Sequence, residues 1–160
     1  MARTDNEIRI TPSMLDRLLD YEPDVSSEAA KSRTKSLREL KQSVQRDLEF
    51  LLNTRRIIEI SETLEETLNS VLNFGLPDFT GTSANNPSEQ KWLVKSLTAA
   101  LKIHEPRLKD LKITLEPISN VERILRFRIE ARLRVEPTPE PVTFDTILQL
   151  GSGAFQVKEK

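Results

Sequence analysis

From Leu125 to Val135 apolar and charged residues alternate without interruption, and this stretch constrains the fold more than any other. Leu125, Phe127, Ile129, Ala131, Leu133 and Val135 fall on one side, and Arg126, Arg128, Glu130, Arg132 and Arg134 on the other. Successive side chains of a strand point to opposite faces, so the pattern describes a strand with one face in a core and one in water. Only Ile124 breaks the parity. The same period of two runs through Leu111, Ile113 and Leu115, and again through Val142, Phe144, Leu148 and Leu150. Gly151-Ser152-Gly153 reads as a turn into a last short strand from Ala154 to Lys158. Turns are expected at Pro117 to Asn120 and in the proline-rich stretch Glu136 to Pro141.

Upstream of residue 106 the period is helical. Leu37, Leu40, Val44, Leu48, Leu51 and Leu52 form one apolar face of a long helix expected from about Ser27 to Asn53. A second helix is expected over Leu64 to Leu72, with Thr63 and Glu66 as a capping box and Gly75 and Pro77 beyond its end. A third begins with Asn86 as cap and Pro87 at its first position, and Pro106 ends it. Trp92 or Leu93, then Leu97, Ala100, Leu101 and His104, mark its buried side. His104 is expected to be a packed histidine or helix-end cation, and Trp92 a core anchor. Near the amino terminus, Thr11 and Pro12 open a short helix that Tyr21-Glu22-Pro23 stops. Its stripe of Met14, Leu15, Leu18 and Leu19 must dock, either on this protein's own body or in a partner's groove, since so short a helix is marginal alone. The expected organisation is an arm over residues 1–35 and one α+β domain over 36–160, with helices on one face of an antiparallel sheet of about four strands.

Composition narrows the chemistry. The 160 residues include no cysteine and a single histidine, so thiolate catalysis and cysteine or histidine-rich metal sites are excluded. Four glycines form no phosphate cradle. The net charge of -1 removes the electrostatic case for nucleic acid, and Glu130 interrupts the arginine face while Glu116 can pair across the sheet. No signal-peptide pattern and no membrane-length apolar run are visible, so a cytoplasmic protein without membrane insertion is expected.

Ser43-Val44-Gln45-Arg46-Asp47-Leu48-Glu49-Phe50-Leu51-Leu52-Asn53-Thr54-Arg55 resembles the long-helix signature of the TssE family of type VI secretion baseplate subunits. Ser70-Val71-Leu72-Asn73-Phe74-Gly75-Leu76-Pro77-Asp78 is similar to that family's helix-to-loop signature. Glu105-Pro106-Arg107-Leu108 resembles the EPR motif shared with the homologous wedge subunit of contractile phage baseplates, and Phe144-Asp145-Thr146 stands in the expected third strand. Leu15-Asp16-Arg17-Leu18 is similar to the family's amino-terminal part. The resemblance implies a fold similar to the handshake domain of the contractile sheath. It also implies a place in the wedge beside TssF and TssG, templating of the TssB–TssC sheath, and assembly at the cytoplasmic face of the inner membrane.

On that resemblance Glu105, Pro106 and Arg107 are the expected wedge contact. As an exposed local ion pair, Glu105 and Arg107 would contribute only about 0–1 kcal/mol; desolvated at an interface, losing either would cost roughly 2–5 kcal/mol. Substituting either by alanine is expected to abolish wedge assembly and leave the isolated fold intact. Asp145, Thr146, Phe155 and Val157 are the candidates for a strand edge offered to the sheath. No catalytic residue, cofactor or metal is assigned. Members carry a lysozyme-like label, but a glycosidase needs two carboxylates flanking a cleft, one with a raised pKa. Glu105 is the one distinctively set acid, and Arg107 is expected to lower its pKa. A regulatory adaptor of the related anti-adaptor fold is the alternative reading, and a peptidoglycan-cleaving glycoside hydrolase a remote one.

Overall fold

The computed structural model describes residues 10, 12–19, 24, 33–56, 60, 63–79, 86–116 and 124–159. Most of the arm, Thr11, the stop at Tyr21 to Pro23, the polar start of the long helix and the turn at Pro117 to Asn120 lie outside these residues. The elements are α1 (Met14–Leu18), α2 (Arg33–Asn53), α3 (Glu65–Leu68), a 3-10 turn (Val71–Asn73), α4 (Pro87–His104), β1 (Leu108–Leu115), β2 (Ile124–Leu133), β3 (Glu140–Gln149) and β4 (Ala154–Glu159). The strands form one antiparallel sheet in the order β1-β2-β3-β4. This is an α+β fold, as the alternation and the helical stripes imply.

One face of the sheet and two helices make the core. Leu125, Phe127, Ile129 and Leu133 of β2 and Val142, Phe144 and Leu148 of β3 are buried in one cluster with the helices. From α2 it takes Val44, Leu48, Leu51 and Leu52, and from α4 Leu93, Leu97 and Leu101. Each such side chain contributes about 1.5–3 kcal/mol on burial. The opposite face carries ion pairs across strands: Arg128 to Glu116 at 2.6 Å and to Asp145 at 3.1 Å, and Lys112 to Glu130 at 3.5 Å. These pairs brace the arginine row with carboxylates.

Local chemistry explains the ends. Asn86 Oδ1 accepts from the Ser88 N–H at 3.0 Å and caps α4. The helix expected over Leu64 to Leu72 instead breaks at Ser70, whose hydroxyl accepts from the Leu72 N–H at 3.3 Å and starts the 3-10 turn. α3 begins at Glu65, with Leu64 at the cap position in place of the Thr63 expected there. Leu64, Val71 and Leu72 are exposed rather than packed. Trp92 is also 44% exposed, lying edge-on to buried Phe79 at 5.1 Å. The segment after the turn docks on the end of α2: the Leu76 N–H donates to Thr54 O at 2.8 Å and the Arg56 N–H to Leu76 O at 2.9 Å. His104 packs there, with Nε2 3.2 Å from Asn73 O and its ring 5.1 Å from Phe74.

Candidate functional site

Pro106 ends α4 and leaves Glu105 and Arg107 on the short link into β1. Arg107 Nε and Nη2 donate to both oxygens of Glu105 at 2.8–3.0 Å, a bidentate pair. Arg107 Nη2 also donates to Asp47 Oδ2 on α2 at 2.7 Å. Asp47 Oδ1 accepts from Arg46 Nη2 at 2.8 Å, and Arg46 Nη2 reaches Asp16 Oδ1 on α1 at 2.9 Å. Three carboxylates and two guanidiniums therefore run in one chain of contacts from the link, across α2, to α1. Within the described residues Arg107 Nη1 is buried without an acceptor.

Glu105 is buried, with 6% exposure. Burial pushes its pKa above the ordinary value, outweighing the attraction of Arg107, while Asp47 adds to the rise. Arg107 does pull this pKa down, as expected, but the low-dielectric setting opposes ionisation more than one guanidinium favours it, so the net shift is upward. The space between Glu105 and Asp47 is bridged by Arg107 Nη2 itself. A guanidinium, not a cleft, separates these acids.

Asp16 behaves in the opposite sense. Burial works to raise its pKa, but hydrogen bonds from Ser13 Oγ at 2.5 Å and Ser43 Oγ at 2.6 Å, with the Arg46 guanidinium, hold it at about 2. Ser13 also accepts from the Asp16 N–H at 3.2 Å, so it caps α1, which begins at Met14 rather than at Pro12. A carboxylate depressed in the folded state contributes stability above its unfolded value of 3.8, lost as pH falls through about 2. Amide exchange of residues 14–19 should therefore accelerate as pH is lowered from about 4 to 2, relative to the sheet. Unchanged protection across that window would rule out Asp16 as the tether. Glu105 has the contrary linkage: its contribution is full below its unfolded value and is lost as pH rises through the raised one.

The strand candidates are distributed differently. Asp145 and Thr146 stand on β3, between β2 and β4, so their strand has no open side. Thr146 is 1% exposed and faces the core. Phe155 and Val157 stand on β4, at an edge of the sheet, with both side chains buried. That edge is covered by α2. Asn53 Oδ1 accepts from the Phe155 N–H at 2.9 Å and Asn53 Nδ2 donates to Phe155 O at 3.0 Å, the pattern of a neighbouring strand made by one amide side chain. Gln45 Nε2 donates to Val157 O at 2.8 Å.

The other edge is β1. The Glu116 N–H donates to Arg126 O, and the register pairs Thr114 with Arg128 and Lys112 with Glu130. Since hydrogen-bonded and non-bonded pairs alternate, the Ile113 and Leu115 backbone groups point away from β2. No described strand pairs on that side.

Met14, Leu15, Leu18 and Leu19 are 78%, 54%, 79% and 41% exposed. They do not dock on the described body. The sequence separates Asp16, Asp47 and Glu105 widely, and each stands in one of the quoted signatures with nothing to join it to the others; Ser43, Gln45 and Asn53 stand in the long-helix signature, and Ser13 in none.

Among the described residues no helix is long and apolar enough to cross a membrane, and no group of three or more histidine, cysteine or acidic residues could hold a metal ion. Residues 38–138 match the family described as "Baseplate wedge protein gp25". The chain is 29% identical over 98 residues to a protein named "Anti-adapter protein IraD" from Escherichia coli O127:H6 (strain E2348/69 / EPEC), covering 61% of this chain and 74% of that protein. To its namesake from Escherichia coli strain SMS-3-5 / SECEC it is 29% identical over 128 residues, 80% of this chain and 88% of the relative.

Proposed function

The chain belongs to the family of the baseplate wedge protein gp25, and from that membership we propose that it is a non-enzymatic wedge subunit of a type VI secretion baseplate. It binds TssF–TssG through Glu105, Pro106 and Arg107 and offers a strand edge to the TssB–TssC sheath, at the cytoplasmic face of the inner membrane. The family is a structural one, and the match at residues 38–138, which spans both Asp47 and the Glu105–Arg107 pair, is the observation that carries the reading. The guanidinium between Glu105 and Asp47 supports a binding rather than a hydrolytic use of these acids, because a glycosidase keeps that space for sugar and water.

Because α2 bonds the β4 edge, the sheath contact in this reading is assigned to β1. An added strand there would bond the outward groups of Ile113 and Leu115, and its apolar side chains would cover the partly buried Leu111, Ile113 and Leu115. Ile113→Pro tests this. Proline removes an N–H that β2 does not use, and an edge strand tolerates it. With wedges of TssF–TssG and this chain, Ile113→Pro should reduce TssB–TssC sheath formation at least roughly tenfold, while Ile113→Ala keeps most of it and both retain TssF–TssG. Equal sheath formation by the two variants would sink the β1 assignment. Wild-type chain that fails to co-elute with TssF–TssG would sink the wedge reading.

The name of the relatives favours a second reading, a regulatory adaptor. It predicts a binary complex with a response regulator and no retention of TssF–TssG.

A further inference from the structure

An amphipathic helix ordinarily turns its apolar stripe to the body and its polar side to water. α1 does the reverse. Asp16, on its polar side, is the residue that meets α2, through Ser43 and Arg46, and its side chain is only 17% exposed. Just upstream, Ile10 packs against the core. One apolar and one ionic anchor thus fix the helix in rotation as well as position, and the rotation they set turns Met14, Leu15 and Leu18 outward. A stripe aimed at solvent by two specific anchors is a built surface, unlike scattered exposed leucines.

We propose that the Met14, Leu15, Leu18 and Leu19 stripe is a second wedge contact, seated in an apolar groove between helices of the wedge partner. The proposal rests on the wedge reading above. A second copy of this chain is the poorer occupant, because a stable interface takes about 800 Å² from each side and two five-residue helices fall far short of that. The stripe must therefore be part of a larger contact. What continues from it by direct contact is the ion-pair chain Asp16, Arg46, Asp47 and Arg107, which leads to the buried Glu105 of the proposed wedge site. The occupant of one end is then the occupant of the other. Arg17 lies beside the stripe in the last turn of α1, so the groove carries acidic residues on the facing rim.

The test uses the full chain and purified TssF–TssG, read by binding titration and by thermal melting of the chain alone. Leu15→Glu combined with Leu18→Glu should weaken binding roughly 30-fold or more, as expected when central apolar anchors are lost. Its melting temperature should stay at the wild-type value, because both side chains are already exposed. Arg17→Glu should weaken binding less and reduce its salt dependence. Wild-type chain that does not bind TssF–TssG overturns the wedge reading and the occupant with it. Wild-type binding with unchanged affinity of the double variant overturns this inference alone. A melting temperature lowered in the double variant also overturns it, since the stripe would then serve the protein's own fold.

Discussion

Arg107→Ala should lower the melting temperature of the isolated chain by roughly 6–12 °C, which is the shift expected for about 3 kcal/mol in a chain of this size. The sequence alone suggests an intact fold, because a Glu-Pro-Arg link looks like an exposed local pair. The structure revises this. Glu105 is 6% exposed, and Arg107 binds both it and Asp47. Removing the guanidinium leaves two carboxylates facing one another with Arg46 as the remaining cation of the chain of contacts. Breaking a buried pair by deleting one partner typically costs about 3–5 kcal/mol, and the lower end applies because the Arg107 side chain keeps 26% exposure. The double variant Glu105→Ala, Arg107→Ala should then be less destabilised than the sum of the single variants, by on the order of 1 kcal/mol. Melting within roughly 2–3 °C of wild type, the scatter of surface substitutions, would mean the pair does not support the fold. Loss of wedge binding by Arg107 variants must accordingly be read at a temperature where the variant is folded.

Gly75→Ala should destabilise the chain by about 2–4 kcal/mol, against a change within about 0.5 kcal/mol for Gly151→Ala. Gly75 has φ 106°, and a Cβ there would stand 2.6 Å from Thr54 O, a backbone atom that cannot swing aside. That same oxygen accepts the Leu76 N–H at 2.8 Å, so relief of the clash would break the bond that seats fully buried Leu76. At Gly151 nothing lies within 4 Å of an added Cβ. Paired chemical or thermal unfolding of the two variants checks the contrast. Similar stability of both would show that the docking of residues 74–77 on α2 is not needed for the fold.

Several elements are legible from residue pattern alone. The unbroken alternation from Leu125 to Val135 is β2 and its exit, with apolar residues buried and arginines on the other face. The leucine stripe is the buried side of α2, and Asn86-Pro87 opens α4. These succeed because period and capping are local: each depends on residues within four positions. The failures differ in kind, one being itself local and the other a matter of core packing. The helix expected over 64–72 breaks because Ser70 bonds its own backbone more favourably than the next helical turn allows. Trp92 stays half-exposed because the core beneath α4 is filled by Leu93, Leu97 and Leu101.

The sequence by itself determined the class of fold, the side of each strand that enters the core, and the motifs that identify the family. Those follow from side-chain period, proline and glycine placement, and the order of short signatures. Only the tertiary structure decided which edge of the sheet no described strand pairs with and what holds the Glu105–Arg107 pair. Asn53 reaches Phe155 and Asp47 reaches Arg107 across 102 and 60 residues of chain. A polar side chain carries no mark of such a partner in its own neighbourhood. Its choice is set by desolvation and geometry once helices and sheet have packed, and the same packing turned the stripe of α1 outward.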